Sequence, residues 1–220
     1  MTTVRLRFTK TGEAAYISLL DLQRVMQRAF KRSGLPVWYT QGFNPHIYMT
    51  FAAPLALGQE SVAESLDFKS EADDFDWSAG PALLAPCLPR GVEPLSMAPA
   101  RTDPGEIAFA RYELRAAGPA AVGALQAFKA YNEAPAALVT KQGKRGKVKE
   151  LDLKQYAPVL GYKNRGDGAL AVSLVLPAGG QLTVSPSLLV GWLCAHAPLQ
   201  AHQVQILRTE LLTGKMEKFR

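Results

Sequence analysis

Cysteine is scarce in this chain of 220 residues: only Cys87 and Cys194 are present, and they stand far apart. That excludes a disulfide-framed scaffold and, for residues 1–220, the three closely spaced thiolates that an iron–sulfur cluster needs. Both lie in apolar sequence, which reads as two buried, reduced thiols, with a single disulfide as the alternative. No apolar run approaches the ~18 residues needed to cross a bilayer, and Met1 to Phe8 contain no apolar leader, so a cytoplasmic protein without membrane association is expected. His46, His196 and His202 lack metal-ligand spacing. Phosphate-binding loops, dinucleotide fingerprints and nucleophile elbows are missing too. The expectation is no metal site, no cofactor in this chain and no self-sufficient catalytic centre.

What remains is an ordinary globular composition, 48% hydrophobic and 20% charged, with a net charge of +6 that favours an anionic partner. Val4 to Phe8 alternates apolar and polar residues as a half-buried strand does. Ser18 is a candidate N-cap with Asp21 three residues on, and Gly34 and Pro36 supply the stop of the helix between them. Strands follow at Ile47–Phe51 and Val62–Phe68, then a helix within Asp74–Cys87 interrupted by Pro81 and Pro86, then an edge strand at Val92–Met97.

The same order restarts after the turn-rich stretch from Pro99 to Gly105. A strand is expected at Ile107–Arg115, a helix at Pro119–Tyr131 and strands at Pro158–Tyr162 and Ala169–Leu176, joined by a turn over Asn164–Gly168. A helix at Ser185–Cys194 and a strand at Val204–Leu212 close the set. The expected fold is α+β: two tandem ferredoxin-like (βαββαβ) halves with antiparallel sheets, residues 1–100 and 105–220, the second carrying a basic insert near 136–156.

Three segments are candidates for function. Gln41-Gly-Phe-Asn-Pro-His46 combines a turn-forming Asn-Pro pair with donors and acceptors on Gln41, Asn44 and His46 around Phe43. It reads either as a recognition loop or as a self-bonded turn with a satisfied histidine. Lys141, Lys144, Arg145, Lys147 and Lys149 form a basic tongue that can lie along a phosphate backbone or be the solvated tip of a hairpin. Its Gly143-Lys-Arg-Gly146 matches the loop of KH domains only superficially. Arg24, Arg28, Lys31 and Arg32 fall on the helix face opposite Leu22, Val25, Met26, Ala29 and Phe30, either as a solvated face or as part of a nucleic-acid groove.

Tyr16-Ile-Ser-Leu-Leu-Asp-Leu-Gln-Arg24, Arg28, Ser33-Gly-Leu-Pro36, Gln41-Gly-Phe-Asn-Pro-His46 and Pro54-Leu-Ala-Leu-Gly58 occur in that order. In these motifs the sequence resembles the radical SAM-linked protein family of bacteria, an uncharacterised domain. The match is carried by residues 16–60; over the second half it rests on the basic insert and on Asp152 to Tyr156. The resemblance implies a radical SAM protein as partner, fused or separately encoded, and makes Asp21, Arg24, Gln41, Asn44 and His46 candidates for a shared site. Where the family has histidine after the capping serine, this chain has Leu19, so no catalytic role is carried to that position.

Three functions from different classes follow. The first is an RNA-binding or substrate-presenting accessory module without its own catalysis, with Tyr39, Phe43 and Tyr48 available to stack on bases. The second is a metal-independent RNA-processing enzyme similar to CRISPR repeat endoribonucleases, with His46 as its candidate catalytic residue. The third is a scaffold that binds only its radical SAM partner. RNA is the nucleic acid considered, since no DNA-specific motif is present.

Overall fold

The structure is a computed structural model that describes every residue except 73, 143–147, 166 and 181. Its chain divides into two compact units, Met1–Ile107 together with Thr213–Arg220, and Ala108–Leu212. It is a mixed α/β protein whose strands pair mostly antiparallel, with four α-helices among the described residues.

The first unit opens with β1 (Thr2–Lys10), then α1 (Leu19–Ser33), β2 (Met49–Phe51), β3 (Glu60–Ser70), α2 (Gly80–Leu84) and β4 (Val92–Pro99). Antiparallel pairing gives the order β4-β1-β3, and β2 adds to β3 through Met49↔Phe68 and Phe51↔Leu66. Strand alternation turns Val4, Leu6 and Phe8 to one face, where they meet Leu66 and Phe68 and the α1 stripe Leu22, Met26, Ala29 and Phe30. Phe30, Phe68, Trp77 and Phe75 form a chain of ring contacts through this core, with centroids 4.7–5.4 Å apart. The ends of α1 are set as the residues dictate. The Ser18 hydroxyl accepts from the Asp21 amide, and Gly34 takes the left-handed conformation (φ 72°) that a side chain disfavours.

The second unit contains β5 (Ile107–Ala116), α3 (Ala120–Glu133), β6 (Leu138–Gln142), β7 (Val148–Asp152), β8 (Tyr162–Asn164), β9 (Leu170–Pro177), α4 (Pro186–Ala195) and β10 (Gln205–Thr213). Four strands are ordered β10-β5-β9-β8, while β6 and β7 pair antiparallel in a separate two-stranded sheet within the extra segment of this half. Tyr112 and Leu114 of β5 share the buried side with Phe128 and Tyr131 of α3 and Leu189 and Leu193 of α4. Tyr131 meets Trp192 edge-on at 5.2 Å.

Several expectations need correction. No strand forms over residues 158–161. Asn132 at the end of α3 accepts from the Leu160 amide at 2.8 Å and donates to its carbonyl at 3.1 Å, which takes both backbone groups away from any ladder, and the strand starts only at Tyr162. The helix expected within Asp74–Cys87 is present but short: one α-helical segment, Gly80–Leu84, between 3-10 turns, with Pro81 in its first turn and Pro86 just beyond it. Ile47 makes a single bridge to Tyr39, leaving β2 with three residues. Both cysteines carry free thiols and are half-buried, so neither is a core residue; burial pushes the Cys194 thiol upward from its ordinary pKa.

Candidate functional site

The Gln41–His46 loop is closed on itself. The Tyr39–Ile47 bridge forms its neck, the Thr40 amide donates to the His46 carbonyl at 2.9 Å, and the His46 amide donates to the Thr40 hydroxyl at 3.1 Å. The imidazole Nδ1 lies 3.1 Å from both the Thr40 hydroxyl and the Asn44 carbonyl. Both partners belong to the loop itself, so the ring is tied to its own turn, while His46 as a residue is exposed. Gly42 adopts φ 123°, and Phe43 at the tip is fully exposed. Gln41 and Asn44 are exposed beside it. At the neck, the Lys69 ammonium lies 4.8 Å from the Tyr48 ring centroid and 5.8 Å from that of Trp38.

Asp21 does not belong to this loop. It sits in the first turn of α1, whose 15 residues span roughly 22 Å. The loop begins only after the last turn, at the level of β3 where the Trp38 amide donates to the Lys69 carbonyl. Asp21 instead accepts from the Ser18 hydroxyl at 2.7 Å and from Arg24 at 2.9 Å, and these two contacts hold its carboxyl below the ordinary carboxylate range. Arg24 thus spends part of its charge within its own helix. Arg32 donates to the Cys87 carbonyl at 2.6 Å, whereas Arg28 and Lys31 are exposed without an ion pair among the described residues.

Lys141 and Lys149 face each other across the β6–β7 ribbon, and the Lys141 ammonium donates to the Thr183 carbonyl at 2.6 Å. Lys144, Arg145 and Lys147 lie outside the described residues. His196 caps the end of α4, its Nδ1 2.8 Å from the Trp192 carbonyl and its ring stacked on that indole at 3.7 Å. Among the described residues, no three His, Cys, Asp or Glu side chains are grouped so as to hold a metal ion.

One charged centre was missed in the sequence. Arg5 stands on the polar side of β1, yet it is only 3% exposed. Its Nε and Nη2 donate to the two Asp67 oxygens, both at 2.7 Å. Its remaining donors reach the Thr102 hydroxyl, the Thr102 carbonyl and the Arg220 carbonyl at 2.7–2.9 Å, and the Phe219 ring lies over the guanidinium at 4.1 Å. The alternation in Val4–Phe8 marks which side Arg5 faces, but nothing local in the sequence signals partners 62, 97 and 215 residues away. Next to it, Arg7, Ser96, Ala98, Pro99, Arg101 and Arg220 line a cavity of about 230 Å³.

Fold and loop together define a two-unit α/β protein that presents an aromatic loop and a cationic strand face. A family model described as an uncharacterised protein conserved in bacteria, DUF2344, matches residues 3–186, and the chain belongs to this family. No curated protein matches it. Among solved structures it is similar to a heavy metal efflux pump, at 13% identity and a TM-score of 0.28, over 94% of this chain and 28% of that one. The chain thus spans well under a third of that structure, and a likeness this slight carries no argument about function.

Proposed function

We propose that this protein is an RNA-binding accessory module of a radical SAM protein, built from two ferredoxin-like units. The strand orders β4-β1-β3-β2 and β10-β5-β9-β8, each within a βαββαβ-type succession once the β6–β7 ribbon is set aside, support the fold reading. The observation that carries the functional reading is the fully exposed Phe43 at the tip of a loop whose neck is braced by Thr40 and His46. An aromatic ring held out by a braced loop is poorly explained by packing and well suited to stack on an unpaired base, with Tyr48 and Lys69 close to the neck. Radical SAM partnership rests on the motif resemblance over residues 16–60, and co-purification with that partner tests it.

Fluorescence anisotropy with labelled single-stranded RNA tests the binding. Phe43→Ala removes a side chain that makes no core contact, so the fold is retained, and loss of one stacked base at ~1–3 kcal/mol weakens binding about tenfold or more. Equal affinity of the variant and the parent protein refutes the reading. The enzymatic alternative is favoured by one observation, the exposure of His46 in that braced loop. Cleavage of a bound RNA that disappears in His46→Ala would replace the accessory role with that one.

A further inference from the structure

We infer that the cavity on the outer face of β1 and β4 is a binding site for a terminal phosphate monoester. Register places it: Arg5 pairs with Ala98 and Arg7 with Ser96, so these four side chains share one strand face, the one opposite Leu6, Met97 and the helices. Arg7, Arg101 and Arg220 line the cavity, and their guanidinium groups have no carboxylate partner among the described residues. The Arg5 charge is already matched by Asp67. Three arginines without a carboxylate partner among the described residues thus line one cavity.

The cations are held in place by a built scaffold. Arg5 uses all five of its N–H donors: two on Asp67, two on Thr102 and one on the Arg220 carbonyl. The Thr102 hydroxyl also donates to that carbonyl, and the Ala100 amide donates to the Thr3 carbonyl at 2.9 Å. Arg101 thus sits between two anchored residues, and Arg220 follows the Phe219 ring stacked on Arg5. Arg5 is the positioning residue, while Arg7, Arg101 and Arg220 are the ligand contacts.

Size and charge select the ligand class. At about 230 Å³ the cavity falls below the ~300–1,000 Å³ of pockets that engulf a whole drug-sized ligand, so it suits a head group. A monoester carries about −1.5 to −2 at neutral pH, against −1 for an internal phosphodiester, and guanidinium forks match its oxygens bidentately. The site does not require the RNA reading: the monoester can be the 5′ end of a strand or a free mononucleotide.

The test compares a short oligouridine bearing a 5′-phosphate with its 5′-hydroxyl form, and uridine 5′-monophosphate alone, by calorimetry. The 5′-phosphate is expected to bind at least about tenfold more tightly, or ~1.4 kcal/mol. Inorganic phosphate should erase that advantage on the unmodified protein. Arg7→Gln with Arg101→Gln should erase it too, while Lys129→Gln on the exposed side of α3 preserves it. If neither oligonucleotide binds but the mononucleotide does, and the double variant loses it, the pocket stands and the RNA reading fails. If both oligonucleotides bind equally, the pocket fails and the RNA reading stands. Absence of binding by all three ligands, or an advantage that survives in the double variant, also overturns the proposal.

Discussion

Asp67→Ala is expected to be among the most damaging single substitutions in the first unit. It leaves the Arg5 guanidinium buried, at 3% exposure, without the two carboxylate bonds at 2.7 Å that neutralise it. Stranding one member of a buried pair costs about 3–5 kcal/mol, a large share of the ~5–15 kcal/mol that stabilises a typical domain. With a urea m-value near ~2 kcal/mol/M, the unfolding midpoint should fall by about 2 M, followed through the fluorescence of buried Trp77. Arg5→Met combined with Asp67→Leu provides the discriminating comparison. It removes both charges and fills the space with apolar volume, so it should be less destabilised than Asp67→Ala alone. A loss below about 1 kcal/mol for Asp67→Ala, or a double variant worse than the single, refutes the assignment of the stability to charge matching.

Tyr131→Phe should cost about 1–3 kcal/mol, because the Ala157 carbonyl loses the phenol that donates to it at 2.7 Å in a buried site; thermal unfolding measures it. The Tyr131 phenol has its pKa pushed up to about 12, chiefly by burial and then by the Asp152 charge. Since the folded value is raised, the stability it contributes is intact below the ordinary tyrosine pKa near ~10 and is lost as pH rises toward 12; alkaline denaturation of parent and Tyr131→Phe should converge there. Gly123→Ala should destabilise α3 although alanine favours helix by ~1 kcal/mol: its Cβ would lie 2.4 Å from the Pro198 carbonyl oxygen, a clash worth about 1–3 kcal/mol. Ser18→Ala should cost about 1 kcal/mol through loss of the cap on the Asp21 amide, read from the melting temperature. The depressed Asp21 carboxyl adds an acid-side effect: its contribution is present above the ordinary aspartate value and fades as pH falls below it, a fade that Asp21→Asn should lack.

Features fixed by neighbours in sequence were legible, and features fixed by distant partners were not. Ser18, Asp21 and Gly34 announce a capped helix because capping and the left-handed stop involve residues three or four apart. Pro186 at the first position of α4, after Ser185, is the same kind of signal. Pro158–Tyr162 looked like a strand because its composition fits one, but Asn132, 28 residues earlier, decides what the Leu160 backbone bonds to. Of the candidate site, the turn chemistry of Asn44-Pro45 marked the loop, and the Thr40–His46 contacts that close it span only six residues. Grouping Asp21 with that loop required knowing where α1 points, which residue types do not state.

The outer strand faces of the two units differ in a way that bears on which of them can take an anion. In the second unit three arginines are matched: Arg111 bonds Glu210 at 2.9 Å, Arg115 pairs with Asp167, and Arg165 pairs with Glu113. The larger cavity there, about 470 Å³, is lined by Glu113 as well as Lys163 and Arg165, so an entering phosphate meets a carboxylate that already occupies a guanidinium. In the first unit Asp67 is committed to Arg5, and Arg7, Arg101 and Arg220, which line the cavity, have no carboxylate partner among the described residues. Buried Arg5 thus neutralises Asp67, and through its bonds to Thr102 and to the Arg220 carbonyl it braces the segments that carry Arg101 and Arg220. Arg5→Lys keeps the charge but supplies three donors on a single point in place of a planar fork. It should therefore weaken phosphate-monoester binding while leaving Arg7, Arg101 and Arg220 in place, whereas Glu113→Gln in the second unit should leave that binding unchanged.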